Sequence, residues 1–301
     1  MELLSIPSPG WNGFNIGPFR FHMYAFCILT GIAIAWWLSR RRFEARGGNP
    51  EHMESIVTVA VLSGIVGARI YHVITHYQDY FGEGQNPVHA LFIWEGGLAI
   101  FGGVALGALA VWWMCRRYGY PTADMFDVLA PGVLIAQAVG RLGNWFNQEL
   151  FGRPTTLPWG LEIAPQHRPE GYEQYATFHP AFLYELTWNL AGAAVLLWAE
   201  KRFRLGRGKV FTLYLAIYAF GRFWIERWRL DPANYVAGWR VNNTAAFVIF
   251  VGAVIAFVWL VRRRPGRDDQ VFARATEPAD TSEVVGDADE SLDVHIPDPE
   301  D

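Results

Sequence analysis

Apolar residues run for close to twenty positions at a stretch seven times along this chain, over 21–38, 55–74, 92–114, 126–145, 180–199, 210–228 and 241–261. A helical run of that length matches a bilayer's hydrocarbon core, at about 1.5 Å per residue across about 30 Å. The polar intervals are short except for the long polar loop from Phe151 to Phe178, and no run shows the period-two alternation of a half-buried strand. The pattern predicts an all-α, polytopic integral membrane protein with seven transmembrane helices.

The flanks of the runs give them a direction. Ser39-Arg40-Arg41-Arg42 follows the first, Arg116-Arg117 the third, Lys201-Arg202-Phe203-Arg204 the fifth and Arg262-Arg263-Arg264 the seventh, whereas 75–91 holds no Lys or Arg. Basic loops are retained in the cytoplasm, so the N-terminus is expected outside and the C-terminus in the cytoplasm. Runs two, four and six then point outward, each with an arginine near its outer end: Arg69, Arg141 and Arg222. Arginine at the outer leaflet goes against that bias and asks for a separate cause. An anionic ligand supplies one, because guanidinium groups bind phosphate bidentately and keep their charge when desolvated.

Run four ends in the densest polar stretch, Gly140-Arg141-Leu142-Gly143-Asn144-Trp145-Phe146-Asn147-Gln148-Glu149-Leu150-Phe151-Gly152-Arg153. An ionisable residue at membrane depth is a functional candidate by default, and here amides, glycines and a carboxylate crowd around it. Helical spacing groups the polar side chains into stripes: Arg69, His72 and His76; Arg141, Asn144 and Gln148; Tyr218, Arg222, Glu226 and Arg229. An internal Arg222–Glu226 pair, neutralising itself inside the bundle, is the plainer account of the last stripe. Near the expected outer face, His179 precedes Pro180 at the mouth of run five, with Tyr184 and Glu185 about a turn inside, and His22 and Tyr24 open run one. Gly96 and Gly97, beside Glu95, would let backbone approach a lipid headgroup or a peptide. Gly103 and Gly107 read as close helix packing.

Composition changes the picture in one place. Residues 265–301 carry twelve Asp or Glu against two Arg, a charge of −10, while 1–264 carry +6. With few large apolar side chains the acidic part lacks the means to bury a core, so the chain divides into a seven-helix membrane body, 1–264, and a disordered acidic cytoplasmic tail, 265–301. Cys27 and Cys115 stand alone in apolar runs and predict no disulfide framework, and no charged region ahead of an apolar core suggests a cleaved signal peptide.

The stretch from Gly140 to Glu149 with Gly152 resembles the signature of the bacterial prolipoprotein diacylglyceryl transferases. The resemblance extends to Gly17-Pro18 with His22 and Tyr24, to Trp94-Glu95-Gly96-Gly97, to His179-Pro180 with Tyr184-Glu185, and to Tyr218 with Arg222, Phe223, Glu226 and Arg229. It implies a seven-span inner-membrane enzyme that moves the diacylglyceryl group of phosphatidylglycerol onto the lipobox cysteine thiol of a preprolipoprotein, giving a thioether and glycerol phosphate. By the same resemblance Arg141 and Arg222 serve the headgroup and catalysis, and Tyr24, Asn144, Glu149, Gly152, Tyr218 and Glu226 are further functional positions. Many relatives have a histidine, proposed as a base, where this chain has Phe101.

The chemistry is consistent with the residues themselves. Expelling a phosphate ester builds negative charge that prepositioned arginines stabilise, and nearby cations lower a thiol pKa from about 8.5. His179, His72 and Glu149 are the candidates to take the proton. Neither a metal nor a cofactor is called for, and nothing points to nucleic acid. The expected partners are membrane lipids and lipoprotein precursors. Two other classes also account for the arginines: an anion transporter, which would need a polar path inward and inverted repeats, and a non-catalytic phospholipid-binding scaffold, in which affinity alone depends on Arg141.

Overall fold

The structure is a computed structural model and describes residues 5–17, 19–230, 235–236 and 239–274. Seven long helices dominate: α1 (Met23–Glu44), α2 (Pro50–Thr75), α4 (Ile100–Tyr118), α5 (Thr122–Asn147), α6 (Ala181–Phe203), α7 (Lys209–Ile225) and α8 (Val241–Arg263), with short α3 (Tyr77–Phe81) and α9 (Val271–Arg274). Among the described residues five of them, α1, α2, α5, α6 and α8, are long and apolar enough to cross a membrane. The other two are shorter, 19 residues for α4 and 17 for α7.

The differences from the sequence expectation have local causes. The third run was expected from 92, but its helix starts at Ile100, because Gly96 and Gly97 sit at φ +92° and +74°, a region that breaks a right-handed helix. Residues before them form 3₁₀ turns, and their apolar side chains, such as the 75% exposed Trp94, stay on the surface. At the other extreme α1 continues six residues past 38 through the arginine cluster, since arginine is a good helix former.

Helix α5 is the hub. It packs antiparallel to α1, where Gly31 lies against Ala136 and Gly132 against Ala35, and it lies against α6 and α7 on its other side. Helices α2 and α4 form a second antiparallel pair whose backbones meet at Gly67 and Gly102; a Cβ on either would run into the other's carbonyl. Gly103 and Gly107 face Gly64 and Ala60 in the same seam, as close packing required. Helices α2, α5 and α7 all start from one end of the bundle and carry Arg69, Arg141 and Arg222 toward the other.

That starting end is a sealed joint. Phe43, Met53, Ile56, Met114, Cys115, Tyr120 and Met125 form a buried core there. Beside it Glu200 is shared by Arg42, Arg46 and Arg267, while Asp127, fully buried on α5, accepts the Gly208 and Phe211 N–H groups at 2.8 Å and caps α7.

Residues 265–274 belong to this joint, so the folded body extends past the boundary expected at 264. Phe272 is fully buried, 4.6 Å from the Phe43 ring and edge-on to Tyr120, and its N–H reaches the Arg46 carbonyl at 3.2 Å. The acidic composition averaged over 265–301 hid a single aromatic anchor. The disorder expected of 275–301 falls outside the described residues.

The opposite end carries a cap. Residues 5–9 lie along the antiparallel pair of β1 (Leu161–Glu162) and β2 (Thr177–Phe178), and Phe151, Leu161, Ile163, Phe178 and Phe182 fill its core. Gln148, the left-handed C-cap of α5, ties the cap down by donating to the Pro9 carbonyl at 3.0 Å and accepting from the Ala164 N–H at 2.8 Å.

Candidate active site

Where α5, α6 and α7 meet beneath this cap, Glu185 on α6 stands between two arginines that the sequence keeps far apart. Arg141 reaches its Oε2 at 2.6 Å and Arg222 its Oε1 at 3.3 Å. Arg222 also pairs with Glu226 one turn on, at 2.8 Å, so the internal pair does form, but as part of a larger network. Behind these, Arg229 lies 3.8 Å from Glu185, and Arg240 lies 3.4 Å from Glu226 and donates to the Arg229 carbonyl at 2.9 Å.

Charge and exposure divide this network into a front and a back. Among the described residues four guanidinium groups, those of Arg141, Arg222, Arg229 and Arg240, surround the two buried carboxylates Glu185 and Glu226. The side chains of Arg229 and Arg240 are 5% and 11% exposed and hold the carboxylates from behind, whereas those of Arg141 and Arg222 are 22% and 19% exposed. The accessible face is therefore a fork of two arginines, prepositioned by the carboxylates of Glu185 and Glu226. Such a fork suits a phosphate group or an oxyanion that develops in a water-poor site.

The end of α5 adds the remaining polar groups. Arg141 donates to Asn144 Oδ1 at 3.1 Å, and Asn144 donates to Glu149 Oε1 at 2.9 Å. Asn147 donates to the same oxygen at 3.2 Å. Gln148 and Leu150, at φ +51° and +57°, turn the chain so that Glu149 folds back over Asn144. Its Oε2 makes no hydrogen bond to another described residue, and the side chain is exposed. The Tyr24 ring packs on Gly143, where a Cβ would lie 2.6 Å from Tyr24 Cδ2, and the charges that act on Tyr24 are Glu149 and Arg141.

A model of the family described as prolipoprotein diacylglyceryl transferase matches residues 12–259 of this sequence. The chain belongs to that family. A relative from Cutibacterium acnes named phosphatidylglycerol--prolipoprotein diacylglyceryl transferase is 57% identical over 267 residues, covering 89% of this chain and 90% of its own. A Streptomyces coelicolor protein of the same name, numbered 2, is 50% identical over 88% of this chain and 84% of its own. One from Corynebacterium efficiens is 49% identical over 95% and 92%.

Several residues read from the sequence as belonging to the diacylglyceryl transferase site lie elsewhere. Arg69 does not join Arg141 and Arg222. Its guanidinium is spent on carbonyls, those of Ala90 at 2.8 Å, Gly96 at 2.6 Å, Gly97 at 3.1 Å and His89 at 2.5 Å, and it stacks on Tyr80. Gly96 and Gly97, expected to meet substrate, therefore serve this clamp, and a Cβ on Gly97 would lie 2.5 Å from His72 Nε2. Gly152 is likewise filled by protein. Its N–H donates to the His179 carbonyl at 2.9 Å, and a Cβ there would lie 2.7 Å from His179 Cβ and 2.8 Å from the Trp228 carbonyl, so it lets three segments cross beneath the cap.

The histidines are also off the fork. His179 shares a hydrogen bond of 3.1 Å with the Tyr184 hydroxyl and lies 4.8 Å from the Trp228 ring, and burial holds its pKa below the usual imidazole value. His72 stacks on His76 beside the Arg69 clamp. Among the described residues no hydrogen bond or ion pair joins either to Arg141 or Arg222. Phe101 lies at the start of α4, 68% exposed. Tyr218 sits one turn before Arg222, among apolar side chains. Glu185 and Arg240 are the members that sequence reasoning left without a role. Glu185 was visible as a carboxylate a turn inside α6, but its partners are 44 and 37 positions away, beyond any helical spacing.

Proposed function

We propose that this chain is a phosphatidylglycerol:prolipoprotein diacylglyceryl transferase of the bacterial plasma membrane, crossing it seven times with the N-terminus outside and the arginine fork toward the outer leaflet. The observation that carries the chemistry is the accessible Arg141–Arg222 pair, held side by side by Glu185. It suits the phosphodiester of the lipid as ligand and the phosphate monoester as leaving group. In the step we assign, the lipobox cysteine sulfur bonds to the terminal glyceryl carbon as that carbon's bond to the phosphate oxygen breaks. Glycerol phosphate leaves with the bonding electrons, its growing charge met by the two arginines.

The thiol proton goes to a base, and Glu149 is the side chain best placed to be that base. It is one amide away from Arg141, with one oxygen fixed by two asparagines and the other unengaged among the described residues. Tyr24 lines the same pocket from α1. The arginines lower the thiol pKa by favouring the thiolate, which lightens the demand on a carboxylate base and leaves no requirement for histidine at Phe101.

The test is mass spectrometry of a synthetic lipobox peptide incubated with phosphatidylglycerol and the detergent-purified protein. The expected product is a diacylglyceryl thioether on cysteine, with Arg141→Ala lowering its rate by roughly two orders of magnitude. Arg141-dependent lipid retention without any thioether would replace the enzyme by a lipid-binding scaffold.

A further inference from the structure

One helical turn below the arginine fork, in an otherwise apolar part of the bundle, the structure holds polar groups that the transfer step does not use. Gln137 precedes Arg141 by four residues on α5; Tyr218 and Tyr214 precede Arg222 by four and eight on α7. Gln137 Nε2 donates to the Tyr214 hydroxyl oxygen at 3.1 Å, which bridges the two helices. Gln137 Oε1 is buried and has no partner among the described residues. Tyr214 is 8% exposed and stacks on Tyr218, at 6.2 Å between rings inclined by 23°. The Tyr218 hydroxyl makes no hydrogen bond to another described residue. Their neighbours are Leu134, Ile135, Leu196 and Ile217.

Unspent hydrogen-bonding capacity in such surroundings costs free energy unless something occupies it. Exchanging the oxygen and nitrogen of the Gln137 amide does not remove it: in both orientations one hydrogen bond joins Gln137 to Tyr214 and two donor hydrogens remain. With the Tyr218 hydroxyl that makes three donors on one side of the fork. Four helical residues span about 6 Å, so Gln137 and Tyr218 lie that far inward of Arg141 and Arg222. In a glycerophospholipid the groups next inward from the phosphate are the two ester carbonyls, which only accept hydrogen bonds.

We propose that Gln137, Tyr214 and Tyr218 form an ester-carbonyl subsite, which holds the acyl ester groups of the lipid while Arg141 and Arg222 hold its phosphate. The assignment rests on the transferase reading for the identity of the lipid. Two-point attachment, phosphate above and ester below, fixes the glyceryl carbon that the thiol attacks, and makes the enzyme a reader of acyl-ester lipids rather than of any anionic amphiphile.

Diacyl and dialkyl phosphatidylglycerol separate this from a structural role, because the ether lipid keeps the phosphate and chains but lacks the carbonyls. The wild-type protein should favour the diacyl lipid in kcat/KM by on the order of tenfold, the worth of a hydrogen bond or so. In Gln137→Leu and in Tyr218→Phe the ratio should fall toward one because the diacyl rate drops by more than the dialkyl rate. Parallel loss on both lipids, or a wild type indifferent to the ester, would overturn the subsite. Native mass spectrometry of the same two lipids bound to the same proteins keeps the question separate from turnover. If no thioether forms with either lipid, the transferase reading fails. A wild-type binding preference for the diacyl lipid, lost in Gln137→Leu, would then still support the subsite, and no preference would dismiss it.

Discussion

Within the site, the side chains that the sequence exposed most clearly were those whose charge made them expensive where they stood. Arg141 and Arg222 end apolar runs, and both form the accessible fork; Arg69 looked the same and is a loop clamp. The difference is not in the helices but in the loop, which supplies four carbonyls to Arg69 from 89–97, and no spacing rule reports where a loop's carbonyls point. Glu149 and His179 were equal candidates as base on residue type, and their surroundings separate them. Glu149→Gln should lower kcat by roughly two to three orders of magnitude with little change in KM, as expected for loss of proton transfer from a retained site. His179→Gln should leave the acid limb of the rate profile in place and act on stability instead. Burial puts the folded pKa of His179 below that of the unfolded chain, near 6.5, so as pH falls below that value the unfolded state takes up the proton first and stability declines. Thermal unfolding between pH 7 and pH 5 should show this acid loss in the wild type and less of it in His179→Gln. A glutamine variant that shifts the rate profile and not the unfolding profile would return the base to His179.

At the scale of elements, the long helices were legible because an apolar run of bilayer length admits few other structures, while their ends depended on backbone geometry. The left-handed glycines Gly96 and Gly97 delayed α4, and no break of that kind stopped α1 at its arginines. The tail boundary failed for a different reason: composition is an average, and Phe272, with Val271 packed beside it, carries α9 into the core between Phe43 and Tyr120. Its neighbours come from the end of α1, the start of α2, the end of α4 and the start of α5, so this one ring helps to fasten the α2–α4 pair to the α1–α5 pair at the end away from the fork. Phe272→Ala should therefore destabilise the protein by about 3–5 kcal/mol, the usual range for a phenylalanine removed from a packed core. Truncation after Arg274 should not. The midpoint of thermal unfolding in detergent checks both, and an unchanged midpoint for Phe272→Ala would mean that the joint closes without its C-terminal anchor.

For the whole molecule the open quantity is the number of crossings, because α4 and α7 are the short members of the bundle. Seventeen residues of helix make about 26 Å, a few ångströms under the hydrocarbon thickness. Two features would let α7 cross nonetheless: the turns of residues 226–228 extend it, and Trp224 and Trp228, about half exposed, lie where an interfacial aromatic belt would hold its end. Parity makes the count measurable. Cysteines introduced singly at Glu83, Arg117, Arg227 and Arg263, all exposed positions, lie successively at or just past the far ends of α2, α4, α7 and α8. With seven crossings and the N-terminus outside, an impermeant maleimide should label the Glu83 and Arg227 positions in right-side-out vesicles, and the Arg117 and Arg263 positions only in inverted ones. The native Cys27 and Cys115 are buried and contribute little background. If α4 stayed on one side, the Glu83 and Arg117 positions would label together; if α7 did, the Arg227 position would label with Arg117 and the Arg263 position, one crossing further on, would change sides. A complete reversal would keep seven crossings and move the fork to the cytoplasmic leaflet. That would leave the arginines compatible with phosphatidylglycerol and remove their access to a lipoprotein precursor that has already been translocated.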